Sequence, residues 1–333
     1  MTPRAPRSRP QDARSDAGLP VSRRGFLRAA GAGATALAMP GVSGLFAQES
    51  RPADRTAEDL IRDLYSGLRE DQRKAVVLPI DAPERLKYFN AALGKKIGEV
   101  YTKPQQDQLG RILRALSSGE DGWRQISRDG TWDESKAFEN CGANLFGDLS
   151  GKYTWVFSGH HLTMRCDGDT EEGVAFGGPL YYGHSPSGYS DRNLFHYQTK
   201  SALAVYESLT KEQREQAVAY EDPAEGLDSV KFRCTCDSMP GVPFPQLSKE
   251  SQALVDTVLR NLLSPFRKSD ADEVLQVVRK TGGMEAMHLM FYRDREAQAS
   301  QPWSFWRLEG PGFVWNFRVL PHVHTYVNIS SKV

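Results

Sequence analysis

The sequence predicts an α+β protein whose mainly antiparallel sheet is covered by helices on one side. Three observations carry that prediction. Helical apolar spacing gathers in residues 56–119 and 191–280, two-residue alternation marks residues 152–178 and the last third, and no regular strand–helix rhythm of a parallel sheet joins them.

Residues 1–47 read as a leader rather than as part of the fold. "SRRGFLRAAGAGATALAMPGVSGLFAQ" sets the pair Arg23-Arg24 before Phe26, Leu27 and a weakly apolar Ala/Gly stretch. This resembles a twin-arginine (Tat) signal, an address read by the Tat export machinery, and it implies a periplasmic or secreted protein. Cleavage is expected near Ala47, although Leu45 is larger than the small residue such sites prefer. The stretch Leu27 to Ala47 is broken by Pro40 and rich in glycine, which argues against a stable membrane anchor after cleavage. Residues 48–55, "QESRPADR", read as a linker, leaving one domain over 56–333.

That domain opens with Leu60, Ile61, Leu64 and Leu68 at helical spacing behind a Thr56 cap, and continues with a helix in "QQDQLGRILRALSSG". Tyr153, Trp155 and Phe157 then alternate with Thr154, Val156 and Ser158 as a strand, which Gly159 interrupts as a bulge before Leu162, Met164 and Cys166 resume one face. In this register His160 falls on the apolar face and His161 on the polar one. "GGPLYYGHSPSGYSDRN" reads as a turn-rich loop. Helices are predicted at 191–208, after the Thr210 cap, at 248–263 and at 270–280, and strands at 284–292, 303–308, 313–320 and 322–329. No internal repeat is visible.

The formal net charge is zero, yet the leader holds seven arginines against two aspartates. Its removal leaves 35 basic and 40 acidic groups, a surface with no electrostatic reason to bind nucleic acid or anionic lipid. The four cysteines, Cys141, Cys166, Cys234 and Cys236, permit three full pairings, and structural cysteines are the simplest reading. Phosphate-binding glycine loops, nucleophile elbows, HExxH helices and EF-hand loops are all missing, and "DGDTEEG" at 167–173 matches a calcium loop only loosely.

Chemistry therefore concentrates in histidine. Five of the seven histidines fall in three groups: His160-His161, His184, and His322-Val323-His324. Alternation along a strand puts His322 and His324 on one face, about 7 Å apart at the backbone, so both can reach one ion. A tetrahedral site needs further ligands, for which His160 or His161 and His184 are the candidates, with Tyr326 on the same face nearby. Imidazole ligation suits a divalent transition metal, zinc or copper; Met164 and Cys166 would tilt the choice toward copper. Asp129, Asp133, Glu134, Asp148, Asp167 and Asp169 offer carboxylates for orientation or proton transfer.

With these motifs quoted, the chain resembles the DUF3500 proteins, a bacterial family of unknown function. The resemblance rests on "FSGHHLTM", "GPLYYGHSPSG", "YESLTKEQREQAV", "WRLEGPGFVWNF" and "HVHTYV". It implies that Gly159-His160-His161-Leu162 and His322-x-His324 belong to a shared pattern, and it brings no reaction. The family pattern sets a glutamate where this chain has Gln198, and it runs on toward an Asp-Phe-Gly ending that "NISSKV" lacks. The expected function is a metal-dependent enzyme acting on a small extracytoplasmic substrate. Two alternatives stand beside it: a non-catalytic metal- or ligand-binding protein, and a binding platform built from Trp155, Trp303, Trp306 and Trp315.

Overall fold

A computed structural model describes residues 55–221, 225–233, 239–293 and 301–332. The expected leader, all of the linker but Arg55, and Cys234 and Cys236 lie outside the described residues.

The first helical repeat forms two helices, α1 (Ala57–Ser66) and α2 (Glu70–Val76). Thr56 Oγ1 accepts from Asp59 N to start α1, and the Gly67 N–H closes on the Asp63 and Leu64 carbonyls to end it. A short strand, β1 (Val77–Leu78), follows, then α3 (Ile97–Val100), α4 (Lys103–Ala115) and α5 (Gly119–Ser127). Four strands come next: β2 (Gly142–Gly147), β3 (Tyr153–Gly159), β4 (Leu162–Cys166) and β5 (Leu180–His184). The second half brings α6 (His196–Ser208), α7 (Lys211–Ala217), β6 (Val218–Ala219), β7 (Val242–Pro243), α8 (Lys249–Leu263) and α9 (Lys268–Lys280). It ends with β8 (His288–Tyr292), β9 (Phe305–Gly310), β10 (Phe313–Arg318) and β11 (Val323–Ile329).

Among the described residues, the eleven strands join one sheet in the order β1-β2-β3-β4-β5-β11-β10-β9-β8-β6, with β7 beside β8. The pairs β1/β2 and β6/β8 are parallel and the others antiparallel, so the architecture is helices with a large, mostly antiparallel sheet. The "LYYGH" stretch, expected as loop, is the central strand β5.

This order contains a repeat that the sequence hides. Read inward from either edge, helix–helix–strand leads to a parallel neighbour and then a meander, and the two meanders meet where β5 pairs with β11. "SGLREDQRKAVV" (66–77) and "ESLTKEQREQAV" (207–218) occupy the same place in each half. Gln72 Oε1 accepts from Arg69 N at 3.0 Å as Gln213 Oε1 accepts from Thr210 N at 3.0 Å, and Arg73 and Arg214 both reach back to carbonyls that end the preceding helix. "WVFSGHHLTM" and "WRLEGPGFVW" form matching hairpins, β3/β4 and β9/β10. The shared residues are too few and too scattered to announce themselves along the chain.

The two faces of the sheet differ in chemistry. Tyr153, Trp155, Phe157, Leu162, Met164, Tyr182, Trp306, Trp315, Phe317, Val323 and Val327 join residues of α1, α4, α8 and α9 in one apolar cluster. Trp155, Trp306 and Trp315 are 0% exposed and Trp303 1%, so these tryptophans are core and not the alternative binding platform. Cys141 and Cys166 are buried and unpaired. The other face is crossed by two irregular arms. Residues 85–93 bind Thr163, Ser158 and the Arg165 guanidinium, while residues 229–233 bind Arg307, Glu309 and Asn328. Backbone carbonyls of the arms satisfy polar groups that burial would otherwise strand.

At the centre, Gly183 lies so close to β11 that an added Cβ would overlap the Val323 carbonyl. Gly312 meets the Ser330 carbonyl in the same way in the other half. Neither carbonyl can swing aside without breaking the sheet, so Gly183→Ala is expected to cost about 3 kcal/mol. Urea unfolding midpoints compare the variant with the parent, and an unchanged midpoint would contradict the close approach.

Candidate metal centre

The two adjacent histidines owe their position to a hairpin turn. Gly159 pairs with Leu162 at the end of β3/β4, so Gly159 is no bulge, and His160 and His161 are turn residues rather than opposite faces of a strand. His161 takes a left-handed φ of 54°, unusual for a side chain of this size; Gly312, its counterpart in the second hairpin, has φ 73°. Where the second hairpin turns on Pro311-Gly312, the first carries two imidazoles, one of them against backbone preference. Such strain persists where surrounding bonds impose it. Here Asn90 Oδ1 accepts from His161 N at 2.7 Å, Ser135 Oγ accepts from His160 N at 2.8 Å, and Gly183 N donates to the His161 carbonyl at 3.0 Å.

Arg128 completes the clamp. It is 1% exposed, donates to the carbonyls of Ile126 at 2.5 Å and Gly183 at 3.1 Å, and also binds the His161 carbonyl. β11 meanwhile starts one residue after His322, so His322 and His324 stand at its mouth beside this turn.

The three imidazoles converge through their outer nitrogens. His324 Nε2 lies 3.0 Å from His161 Nε2 and 2.9 Å from His322 Nε2. His161 Nδ1 lies 2.8 Å from Asp133 Oδ2, and His324 Nδ1 lies 2.9 Å from Glu225 Oε2. Each carboxylate can accept only an N–H, which places the proton on Nδ1 and leaves a lone pair on Nε2. His161 and His324 thus aim unprotonated nitrogens at one point, an arrangement that could hold a cation between them. Zn–N bonds of about 2.0 Å at a tetrahedral angle separate the nitrogens by about 3.3 Å, close to what the site offers. Carboxylates holding the far side of ligating imidazoles are the usual outer support of such sites.

Electrostatics agree with ligand duty. Burial pushes His161 down to about 4, with Asp133 only partly opposing it. Burial, His324 and Arg318 bring His322 down to about 4, and burial lowers His324 as well. All three are therefore neutral at pH 7, the form that binds metal. Burial works to raise Glu225, but hydrogen bonds from His324 and Tyr326 and the Arg318 charge hold it at about 2. Asp133 also lies below the usual range, where His161, Ser185 and Arg128 outweigh burial. Both carboxylates are anions at neutral pH; they orient imidazoles and store no proton.

Two groups among the described residues could hold an ion: His161 with His322 and His324, and Asp133 with His160 and His161. The structure does not bring His184 to either. It ends β5 on the apolar-cluster side of the sheet, where its Nδ1 accepts from Leu194 N at 3.2 Å. Met164 and Cys166 lie in the core, away from the imidazoles, and Cys166 Sγ donates to Glu58 Oε1 at 3.3 Å. Gln198 is buried in a chain from Trp315 Nε1 through Tyr182 Oη to the Asn261 carbonyl, apart from the histidines. Asp133 was one of six carboxylates in view from the sequence, and Tyr326 donates to Glu225 at 2.8 Å. Arg128, Glu225 and Arg318 carry no sequence signal, since each acquires its role only when the fold brings it to residues distant along the chain.

A family described as "Protein of unknown function (DUF3500)" matches residues 50–330. No curated protein and no solved structure matches the chain.

Proposed function

The chain belongs to the DUF3500 family, and from that premise we propose that it is an exported protein, periplasmic or secreted, whose His161, His322 and His324 hold a divalent transition metal for chemistry on a small substrate. The observation that carries the reading is the convergence of three Nε2 atoms while Asp133 and Glu225 fasten the Nδ1 atoms behind two of them. Export rests on the Arg23-Arg24 leader alone.

Nitrogen-only ligation favours zinc, with copper second, since the soft sulfur donors lie elsewhere. Among the described residues no fourth His, Cys, Asp or Glu joins this trio. Three protein ligands with a free fourth position is the pattern of catalytic rather than structural zinc sites, which is why an enzyme is favoured over a storage protein. When bound, the metal supplies Lewis acidity to a substrate or water oxygen. The residues around it fix geometry: Asp133 and Glu225 set the imidazole tautomers, and Arg318, whose Nη1 lies 2.5 Å from Glu225 Oε1, balances that carboxylate. Arg318 Nη2 also lies 3.2 Å from His322 Nε2, so a positive group borders the site and favours a substrate with negative or strongly dipolar oxygen.

Removing two imidazoles tests the reading. The double variant His322→Ala/His324→Ala is expected to lose one zinc ion per chain relative to the parent by elemental analysis after dialysis, with an unchanged far-ultraviolet circular dichroism spectrum. Full metal content in the variant, or none in the parent after zinc loading, would refute the assignment.

A further inference from the structure

His161 faces two groups at once. Its Nε2 meets His324, while its Nδ1 meets Asp133, beside which His160 stands with its Nδ1 3.9 Å from Asp133 Oδ1. The His160 and His161 rings lie 3.8 Å apart at 41°. In each group the offered ligand atoms fall within 4.8 Å of one another, and His161 is the residue they share. From this we infer that His161 bridges two divalent ions, the first on Nε2 with His322 and His324, the second on Nδ1 with Asp133 and His160. The inference rests on the proposed metal centre and extends it to a dinuclear one.

Three features argue for a second ion rather than a simple support for the first. Both turn positions are imidazoles where the matching hairpin needs only Pro311-Gly312, and support for the first ion would require His161 alone. Asp133 is 6% exposed and presents a second oxygen toward His160, where Ser185 Oγ approaches Oδ1 at 2.5 Å. The Nδ1 to Oδ2 distance of 2.8 Å must open by about half an ångström to admit an ion with bonds near 2.0 Å, a small adjustment for a turn and a one-carbon carboxylate. His160 needs a similar closing motion, in which its part-exposed ring exchanges the bond its Nδ1 accepts from Glu134 N at 3.3 Å for the ion.

The balance is explicit. In the mononuclear form His161 carries one proton, on Nδ1, which it donates to Asp133. Binding of the second ion displaces that proton to solvent, leaving an imidazolate whose two nitrogens bind one ion each. One proton is therefore released from His161 with the second ion.

The test uses the full chain loaded with Zn2+ or Cu2+ and dialysed. Elemental analysis is expected to find two ions per chain in the parent and one in Asp133→Asn or His160→Ala. Asparagine keeps an oxygen for the Nδ1–H, so the first ion should stay. In a Cu2+ titration of the parent, the second equivalent is expected to diminish the electron paramagnetic resonance signal through coupling across the bridge, a readout that needs no variant. One ion per chain in the parent, lost in His322→Ala/His324→Ala, would overturn the bridge and leave the mononuclear centre standing. No ion in the parent would overturn both.

Discussion

Arg128→Met is expected to destabilise the protein by about 3–5 kcal/mol and to abolish metal binding. The guanidinium is 1% exposed and donates to main-chain carbonyls from two separate parts of the fold, Ile126 at the end of α5, and His161 and Gly183 at the hairpin and β5. Burial pushes its pKa down to about 10, so it stays charged at neutral pH, with Asp133 as the nearest opposing charge. Methionine fills a similar length but donates nothing, leaving buried acceptors unpaired and Asp133 without its counter-charge. The His161 carbonyl is then held by Gly183 N alone, and the left-handed turn loses a bond that imposes its strain. Arg128→Lys separates charge from geometry: lysine keeps the charge but cannot span three carbonyls, and should recover only part of the stability. Urea unfolding and zinc content report both effects. A loss below about 1 kcal/mol with normal zinc content would show that the turn holds without the clamp.

What the sequence reveals depends on whether a property is local. The Thr56 and Thr210 caps, the helix over 248–263 and the alternation of the β9, β10 and β11 runs are written in neighbouring residues, and those elements form close to where expected. β5 was hidden because "LYYGH" is flanked by glycine and proline and is defined by its partners on both sides, β4 and β11, rather than by its own composition. The histidines show the same division. Their residue type and i, i+2 spacing were legible, but the hairpin turn at Gly159 makes both members of His160-His161 face the same end of the sheet, while strand alternation would have split them. His184 was drawn in by proximity in sequence to a strand that indeed reaches the site, yet its place in the alternation turns it to the opposite face from His324. Glu225 lies about a hundred positions from its partner His324, on an irregular arm, and no local pattern could have paired them.

Acid should act on this protein in two steps, and the first is expected to coincide with metal loss. An unfolded histidine takes up a proton near pH 6.5, whereas folded His161 and His322 resist until about 4. Between those values the unfolded chain binds more protons than the folded one, so metal-free stability rises with pH through this window and is lost as pH falls from about 6.5 to 4. Below it both states are protonated and the histidine contribution levels off. The carboxylates then act in the same direction at lower pH. Glu225, held at about 2 when folded against an ordinary value near 4.5, stabilises the fold above the latter and loses that contribution as pH falls toward the former. A bound ion steepens the first step, because it requires neutral ligands that compete with protons. At saturation about 100-fold above its Kd, zinc adds about 2.7 kcal/mol at pH 7, and that increment should vanish as the histidines protonate, by about pH 4. Thermal unfolding from pH 7.5 to 3, with zinc and with chelator, separates the two: the curves should lie apart at pH 7 and merge below about pH 4. Superimposed curves at pH 7 would remove the ion from the folded state, and a chelator curve flat from pH 7 to 4.5 would show that these imidazoles are not held neutral by burial.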